Sequence, residues 1–360
     1  MPNSSANQVA DPSTTLSTQN LALYNLQKPF VEPMLRMCRL TNTALDILFY
    51  DVGALTAALW AKGTAIKTGG ATDEASSPAH PLATLDLTAA TNPSGSIIVV
   101  NANAAPYVGE PFLDMGQFFA HANGPDGAGL HTLAVTGVGS SAYGSVAFAW
   151  DVSAALGESV AAIVPGYGLA DVVPQALGGW FGFEMYGVLQ TATQNFLAST
   201  APSLAVMGKG LALSTPGRKK AATGAPVFLH GSAASDDVHA ILEAVPGMTR
   251  VVGHSKGALA IENALRDLPK ARVAEISVLT FGCVISEDLG HRHYAQYLGW
   301  IDGLGLLNSE GHSPEYRPFS HHSTNTYIPF SMMVAESVRA SGATQTDGSR
   351  ASSHVSARQR

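Results

Sequence analysis

The spacing of apolar residues changes along this chain near Ser96. From Leu21 to Lys67 the apolar residues recur at helical intervals, and Pro29 and Pro33 limit where the first helix can run. This pattern predicts an N-terminal segment of two helices. Residues 68–95 are rich in Gly, Ala, Ser, Thr and Pro, a composition that predicts a linker.

Short apolar runs alternate with helical patterns after this linker. Such alternation is typical of a mostly parallel sheet covered by helices, so we predict an α/β fold over residues 96–340. The predicted strands are SIIVV at 96–100, HTLAVTGV at 131–138, VAAIVPG at 160–166, APVFLH at 225–230, TRVVGH at 249–254, EISVLTFG at 275–282 and YAQYLGWI at 294–301. The polar stretches 1–20 and 341–360 are predicted to be disordered.

The composition restricts the choice of ligands and partners. Hydrophobic residues make up 46% of the chain and charged residues only 13%, which favours an apolar ligand. The formal net charge is -7 and Lys and Arg form no run longer than three residues, so nucleic acid is not expected as a partner.

The N-terminal sequence bears on location. Residues 1–20 lack the basic and apolar regions of a secretory signal. The most hydrophobic stretch of the chain contains Asp46 and Asp51, which would be costly inside a bilayer. We therefore expect a cytoplasmic protein.

One motif carries recognisable chemistry. Gly253, Ser255 and Gly257 form a G-x-S-x-G sequence between a predicted strand and an Ala-rich helix. This context is typical of a nucleophilic serine on a sharp turn, where the backbone N–H of Lys256 and the helix dipole can stabilise an oxyanion. We therefore predict that Ser255 is a catalytic nucleophile and that Lys256 contributes to an oxyanion hole.

An acid and a histidine follow Ser255 in the chain order that α/β-hydrolases use. Asp302 comes after the predicted strand YAQYLGWI and is our choice for the acid, with Asp288 as the alternative. His321 and His322 are both candidates for the general base. His322 is preferred because it directly precedes STNT, which is expected to cap a helix and fix its backbone.

These motifs resemble the class 3 lipase family. The residues that carry the resemblance are GHSKGALA at 253–260, TFG at 280–282 and LHG at 229–231, and it spans residues 226–330. It implies an α/β-hydrolase fold and the hydrolysis of carboxylic esters of an apolar, lipid-like substrate through an acyl-enzyme, without a cofactor. It also implies a second oxyanion donor in the loop PGYGLAD at 165–171, where we choose Tyr167.

Two other functions remain open at this stage. Residues Gly137–Ala142 match the G-x-G-x-x-G/A fingerprint of dinucleotide-binding proteins, although no acidic residue ends the next predicted strand. A non-catalytic protein on a hydrolase scaffold, which coats a lipid or polyester surface through its N-terminal helices, is the other alternative. His291 and His293 lack partner ligands at suitable spacing, so no metal site is predicted.

Overall fold

The structure of the protein is a computed structural model. It describes residues 45–67, 83–88, 92, 95–137, 140–165, 233–286, 289–309 and 311–342. The predicted strand APVFLH, the family-like LHG and most of the predicted N-terminal helices lie outside these residues, as do Tyr167, Asp288 and both predicted disordered ends except residues 341 and 342.

A six-stranded sheet forms the centre of the fold. Its strands are β3 (Ile97–Val100), β4 (Thr132–Val135), β5 (Val160–Ile163), β6 (Arg250–His254), β7 (Ser277–Phe281) and β8 (His293–Tyr297). The order across the sheet is β3-β5-β4-β6-β7-β8, and β3 is antiparallel to β5 whereas all other neighbours are parallel. The predicted α/β class with a mostly parallel sheet is therefore confirmed.

Helices cover both faces of this sheet, which explains why its strands are nearly continuous apolar runs. The helices are α1 (Val52–Ala61), α2 (Met115–Ala122), α3 (Ala142–Leu156), α4 (Ala233–Ala244), α5 (Lys256–Arg266), α6 (Lys270–Val273), α7 (Gly303–Asn308) and α8 (Val334–Ala340), with a 3-10 turn at Pro125–Gly127. Helices α1, α3 and α8 contribute to the apolar core on one face, and α2, α4 and α5 to the core on the other.

Successive residues of a strand enter opposite cores because side chains alternate across a sheet. In β6, Val251 packs with α5 and Val252 with α3, and both are fully buried. Strand β6 therefore lies inside the sheet with helices above and below it. Its carboxyl end is held between β4 and β7.

The region before the sheet differs in part from the sequence interpretation. Residues 45–49 and α1 are helical, but Thr64–Lys67 form strand β1, which pairs in parallel with β2 at Ala83–Asp86. The predicted linker thus contains a strand, and the predicted helical segment ends in one. The run ATLD was not predicted as a strand because it is short and lies in a sequence rich in Gly and Ser.

Helix α1 packs on the main core. Its residues Leu55 and Leu59 are buried in the same cluster as Phe148 of α3. Its first turn is capped by Asp51, which accepts a hydrogen bond from the backbone N–H of Ala54. In the part of the chain that the structure describes, no helix combines the length and hydrophobicity needed to cross a bilayer.

Candidate active site

Ser255 occupies a strained turn between β6 and α5. Its backbone has φ 53° and ψ -130°, and this positive φ is costly for a residue with a side chain. Its backbone N–H donates to the carbonyl of Phe281 in the neighbouring strand (2.8 Å). Gly253 permits the helix to approach, since a Cβ atom there would lie 2.8 Å from Cα of Ala258. The turn holds Oγ at the carboxyl edge of the sheet.

The structure brings Ser255, His322 and Asp302 together. Nε2 of His322 lies 2.8 Å from Oγ of Ser255, and Nδ1 lies 2.9 Å and 3.0 Å from the two carboxylate oxygens of Asp302. Because a carboxylate only accepts, Nδ1 carries a proton and Nε2 is left to accept from the serine hydroxyl. All three residues are buried, and Asp302 is only 1% exposed.

Asp302 is also the N-cap of α7, where it accepts from the backbone N–H of Gly305 (2.6 Å). The expectation that Asp302 closes a strand is wrong in detail, because β8 ends at Tyr297. The backbone N–H groups of residues 298, 300 and 301 donate to the carbonyls of residues 316, 318 and 320, and this carries Asp302 towards the loop that holds His322.

The reason given for preferring His322 is also wrong, although His322 is the histidine beside Ser255. No helix follows STNT directly, because α8 begins only at Val334. Instead, residues 323–325 donate hydrogen bonds of 2.6–2.8 Å to the carbonyls of residues 47–49. Contact with this distant segment fixes the loop.

His321 is directed away from the serine. Its Nε2 lies 2.9 Å from the carbonyl oxygen of Pro329, and its Nδ1 accepts from the backbone N–H of Ser323 (3.0 Å). With Nδ1 as the acceptor, Nε2 carries the proton and donates to Pro329. Both ring nitrogens of His321 therefore have partners within their own loop.

The glycine of TFG makes room for the imidazole. Gly282 has φ +64°, and a Cβ atom there would come within 2.9 Å of Cε1 and Nδ1 of His322. A side chain at this position would crowd the contact between His322 and Asp302, because the same Cβ atom would lie 3.2 Å from an Asp302 carboxylate oxygen.

The backbone that follows β4 at Thr136 and Gly137, the Gly137 loop, lies beside Ser255. Lys256 begins α5 directly after the serine, as expected. A Cβ atom on Gly137 would lie 3.4 Å from Cβ and 3.7 Å from Oγ of Ser255. Strand β5, which precedes Tyr167 in the chain, is separated from β6 by β4.

Two buried polar residues that sequence reasoning did not place in the site are Asp46 and Tyr50. The Asp46 carboxylate accepts from the hydroxyl of Ser140 (2.8 Å) and from the backbone N–H (3.1 Å) and hydroxyl of Ser141, the N-cap of α3. Burial raises the pKa of Asp46 to about 7, against these hydrogen bonds. In a dinucleotide-binding protein the pyrophosphate would lie at this helix N-terminus.

His254, the residue before Ser255, is buried against His322. The two ring centroids are 4.9 Å apart, and Nε2 of His254 lies 2.9 Å from the carbonyl oxygen of His322. Burial, with the neighbouring His322, lowers the pKa of His254 to about 3. His254 is therefore neutral at physiological pH.

Fold and site together define a mixed α/β protein with a buried Ser-His-Asp hydrogen-bonded set at the edge of a mostly parallel sheet. Comparisons with protein-family models, with curated proteins and with solved structures each give no significant match. Within the described ranges, no three His, Cys, Asp or Glu side chains are grouped so that they could hold a metal ion.

Proposed function

We propose that this protein is a serine hydrolase of the α/β-hydrolase type that cleaves carboxylic esters through an acyl-enzyme. The observation that supports this most strongly is the hydrogen-bonded sequence from Oγ of Ser255 through His322 to Asp302. A serine is a weak nucleophile alone, and an adjacent base oriented by a third group is the arrangement that activates it.

In the first half of the proposed reaction, Oγ of Ser255 attacks the ester carbonyl carbon while Nε2 of His322 takes the hydroxyl proton. The tetrahedral intermediate then collapses, the bond to the alcohol oxygen breaks, and His322 returns the proton to the departing alcohol. Asp302 stabilises the imidazolium by accepting from Nδ1, and its buried position keeps water from weakening that bond.

In the second half, His322 takes a proton from a water molecule that attacks the acyl carbon. The carboxylic acid leaves, and Oγ of Ser255 regains its proton from His322. The overall reaction converts an ester and water into a carboxylic acid and an alcohol, and none of its steps uses a cofactor.

The oxyanion would form between the start of α5 and the loop after β4. The backbone N–H of Lys256 follows the nucleophile directly, as in other strand-turn-helix nucleophiles. The closeness of Gly137 to Ser255 favours the backbone after β4 as the source of the second donor, in place of Tyr167.

Exposed apolar side chains near the proposed triad favour an apolar, lipid-like acyl or alcohol group. Phe319 and Phe330 belong to the stretch that carries His322, and their rings pack edge-on with centroids 5.4 Å apart. Other exposed apolar side chains in the sequence around Asp302 and His322 and in segment 45–50 are Ile47, Leu48, Trp300, Ile301, Leu306, Tyr327 and Met333. Large exposed apolar side chains on the segments that carry the proposed triad support contact with an apolar ligand or surface.

The non-catalytic surface protein is the second candidate, and the same apolar side chains favour it. A non-catalytic surface function, however, does not require a strained serine beside a buried histidine and aspartate. Dinucleotide binding is less favoured, because the Asp46 carboxylate occupies the N-terminus of α3, where the pyrophosphate would have to bind.

A fluorophosphonate probe tests the proposal, since it forms a covalent bond only with an activated serine. The wild-type protein should be labelled at Ser255, and Ser255→Ala should not be labelled. Ser145→Ala is the matched control, because Ser145 is buried in α3 and bonds Thr136 rather than a histidine. Absence of labelling in the folded wild type would exclude the hydrolase and favour the surface protein.

A further inference from the structure

A chain of hydrogen bonds connects the two sides of the proposed active site through Tyr50. The hydroxyl oxygen of Tyr50 lies 2.8 Å from the backbone nitrogen of Gly137 and 3.0 Å from Nδ1 of His254. Nε2 of His254 lies 2.9 Å from the carbonyl oxygen of His322. Gly137 adjoins Ser255, and His322 is the proposed base, so both ends of the chain reach the reacting groups.

The His322 carbonyl and the neutral state of His254 together fix the direction of the bonds in this chain. The Gly137 N–H can only donate, so Tyr50 accepts there, and Nδ1 of neutral His254, which carries no proton when Nε2 is protonated, accepts from the Tyr50 hydroxyl. The carbonyl of His322 can only accept, so Nε2 of His254 carries a proton. His254 is thereby held as one neutral tautomer, in agreement with its burial.

The segment that carries Tyr50 contacts the same two loops at other points. Asp46 binds the start of α3, next to the Gly137 loop, and residues 47–49 bind residues 323–325. The ring of Phe49 also packs edge-on against His322, with centroids 5.8 Å apart. Segment 45–50 thus joins the loop beside the nucleophile to the loop that carries the base.

We propose that Tyr50 is a positioning residue which, through its hydroxyl and through His254, sets the placement of His322 and of the Gly137 loop relative to Ser255. The inference rests on the proposed hydrolase function of that site. Tyr50 does not reach the ester itself. It acts by keeping the base and the flanking backbone in the geometry that proton transfer needs, where a displacement of about 1 Å can cost about 100-fold in rate.

Tyr50→Phe is the direct test because it keeps the ring, which packs against Phe148, and removes only the hydroxyl. We expect kcat on a short p-nitrophenyl ester to fall by about 10- to 100-fold. KM should stay within about threefold, because transition-state geometry rather than substrate binding is disturbed. The rate of fluorophosphonate labelling should fall in the same proportion as kcat.

Tyr143→Phe is the matched control. Tyr143 lies in α3 and its hydroxyl binds Thr56 of α1 (2.7 Å), so this variant also loses one partly buried tyrosine hydrogen bond between segments that pack together. Its kcat should equal that of the wild type. If both variants lose the same fraction of kcat, or if Tyr50→Phe keeps full activity, Tyr50 has no positioning role.

Histidine ¹⁵N NMR tests the bond directions independently of activity. His254 should give the neutral tautomer protonated at Nε2 in the wild type, with its signal assigned by its loss in His254→Gln. Protonation of His254 at Nδ1 would overturn the inference.

A second pair of variants covers the case in which Tyr50→Phe does not fold. His254→Gln can still donate to the His322 carbonyl, whereas His254→Leu cannot, so the Gln variant should retain more of kcat. Equal kcat in the two would contradict the inference.

The failure of this inference and the failure of the proposed function give different results. An inactive, unlabelled wild type would refute the hydrolase and this inference together, whereas a labelled wild type with an unaffected Tyr50→Phe would refute the inference alone.

Discussion

Gly257, in the first turn of α5, lies directly against the carbonyl group of Val135 at the end of β4. A Cβ atom on Gly257 would come 2.3 Å from that oxygen, closer than any real side-chain contact. The second glycine of the G-x-S-x-G motif is therefore required by the packing of α5 on β4. The same packing places the start of α5, and with it Ser255, next to the loop that begins at Gly137.

Replacement of Gly257 by Ala should destabilise the protein, since backbone on both sides has to move. We expect a loss of about 1–3 kcal/mol in the free energy of unfolding, measured by urea titration. Gly247→Ala is the control, because a Cβ atom at Gly247 meets nothing within 4 Å, and its effect should stay within about 0.5 kcal/mol. Similar losses in both variants would contradict the packing explanation.

Asp302→Asn should lower kcat by about 10⁴-fold, as in other Ser-His-Asp sites, because an amide no longer enforces the tautomer with its proton on Nδ1. The asparagine oxygen can still cap α7, so the fold should be retained. Asp114→Asn is the matched control, since Asp114 caps α2 in the same way through Gln117 and is remote from Ser255 in sequence and fold. Steady-state ester hydrolysis measures both, and a small effect at Asp302 would require another acid.

His322→Ala should lose activity about as completely as Ser255→Ala, because Oγ is then left without a base. His321→Ala should keep most of kcat, since the His321 ring bonds only within its loop. The two kcat values on one p-nitrophenyl ester decide between the neighbours. If His321→Ala is the inactive variant, the assignment of the base is wrong by one residue.

Asp46→Asn should change how stability depends on pH. The buried carboxyl has a pKa of about 7 in the folded protein against an ordinary value of 3.8. Between these values the folded state keeps a proton that the unfolded chain has released, so this group makes stability fall as pH rises from about 4 to about 7.

The Asn variant lacks this decline, and relative to the wild type it should gain up to about 4 kcal/mol across that range. Urea unfolding at several pH values measures the difference between the two proteins. His254 titrates in both proteins, with the opposite slope, and cancels in that difference. A difference that does not change between pH 4 and 7 would show that Asp46 is ionised throughout.

Local patterns were sufficient to predict the sheet and the three residues of the proposed triad. Parallel strands are buried on both faces and read as apolar runs, and a strand-turn-helix motif marks Ser255 within a few residues. Asp302 and His322 followed from chain order. The strands β1 and β2 were missed because four-residue runs among Gly, Ser and Thr carry little periodic signal.

Tyr50 and Asp46 could not be assigned from sequence because their partners are distant in the chain. Tyr50 meets His254 across 204 positions, and Asp46 meets Ser140 across 94. The sequence did show that the most hydrophobic stretch of the chain contains Asp46 and Asp51, and these polar residues argued against a membrane span. The same polar residues indicate an apolar helix with buried polar partners elsewhere in the fold.

The hydrogen bonds between residues 47–49 and residues 323–325 also determine when the proposed site can form during synthesis. The pair Phe49 and Thr324 is separated by 275 positions, so the first partner leaves the ribosome long before the second. Until the chain has been made beyond Asn325, Ser255 lacks its proposed base or segment 47–49 lacks its full set of partners in residues 323–325. A chain that ends before His322 would thus carry Ser255 without its proposed base, and the proposed ester cleavage would become possible only once residues 322–325 have been added.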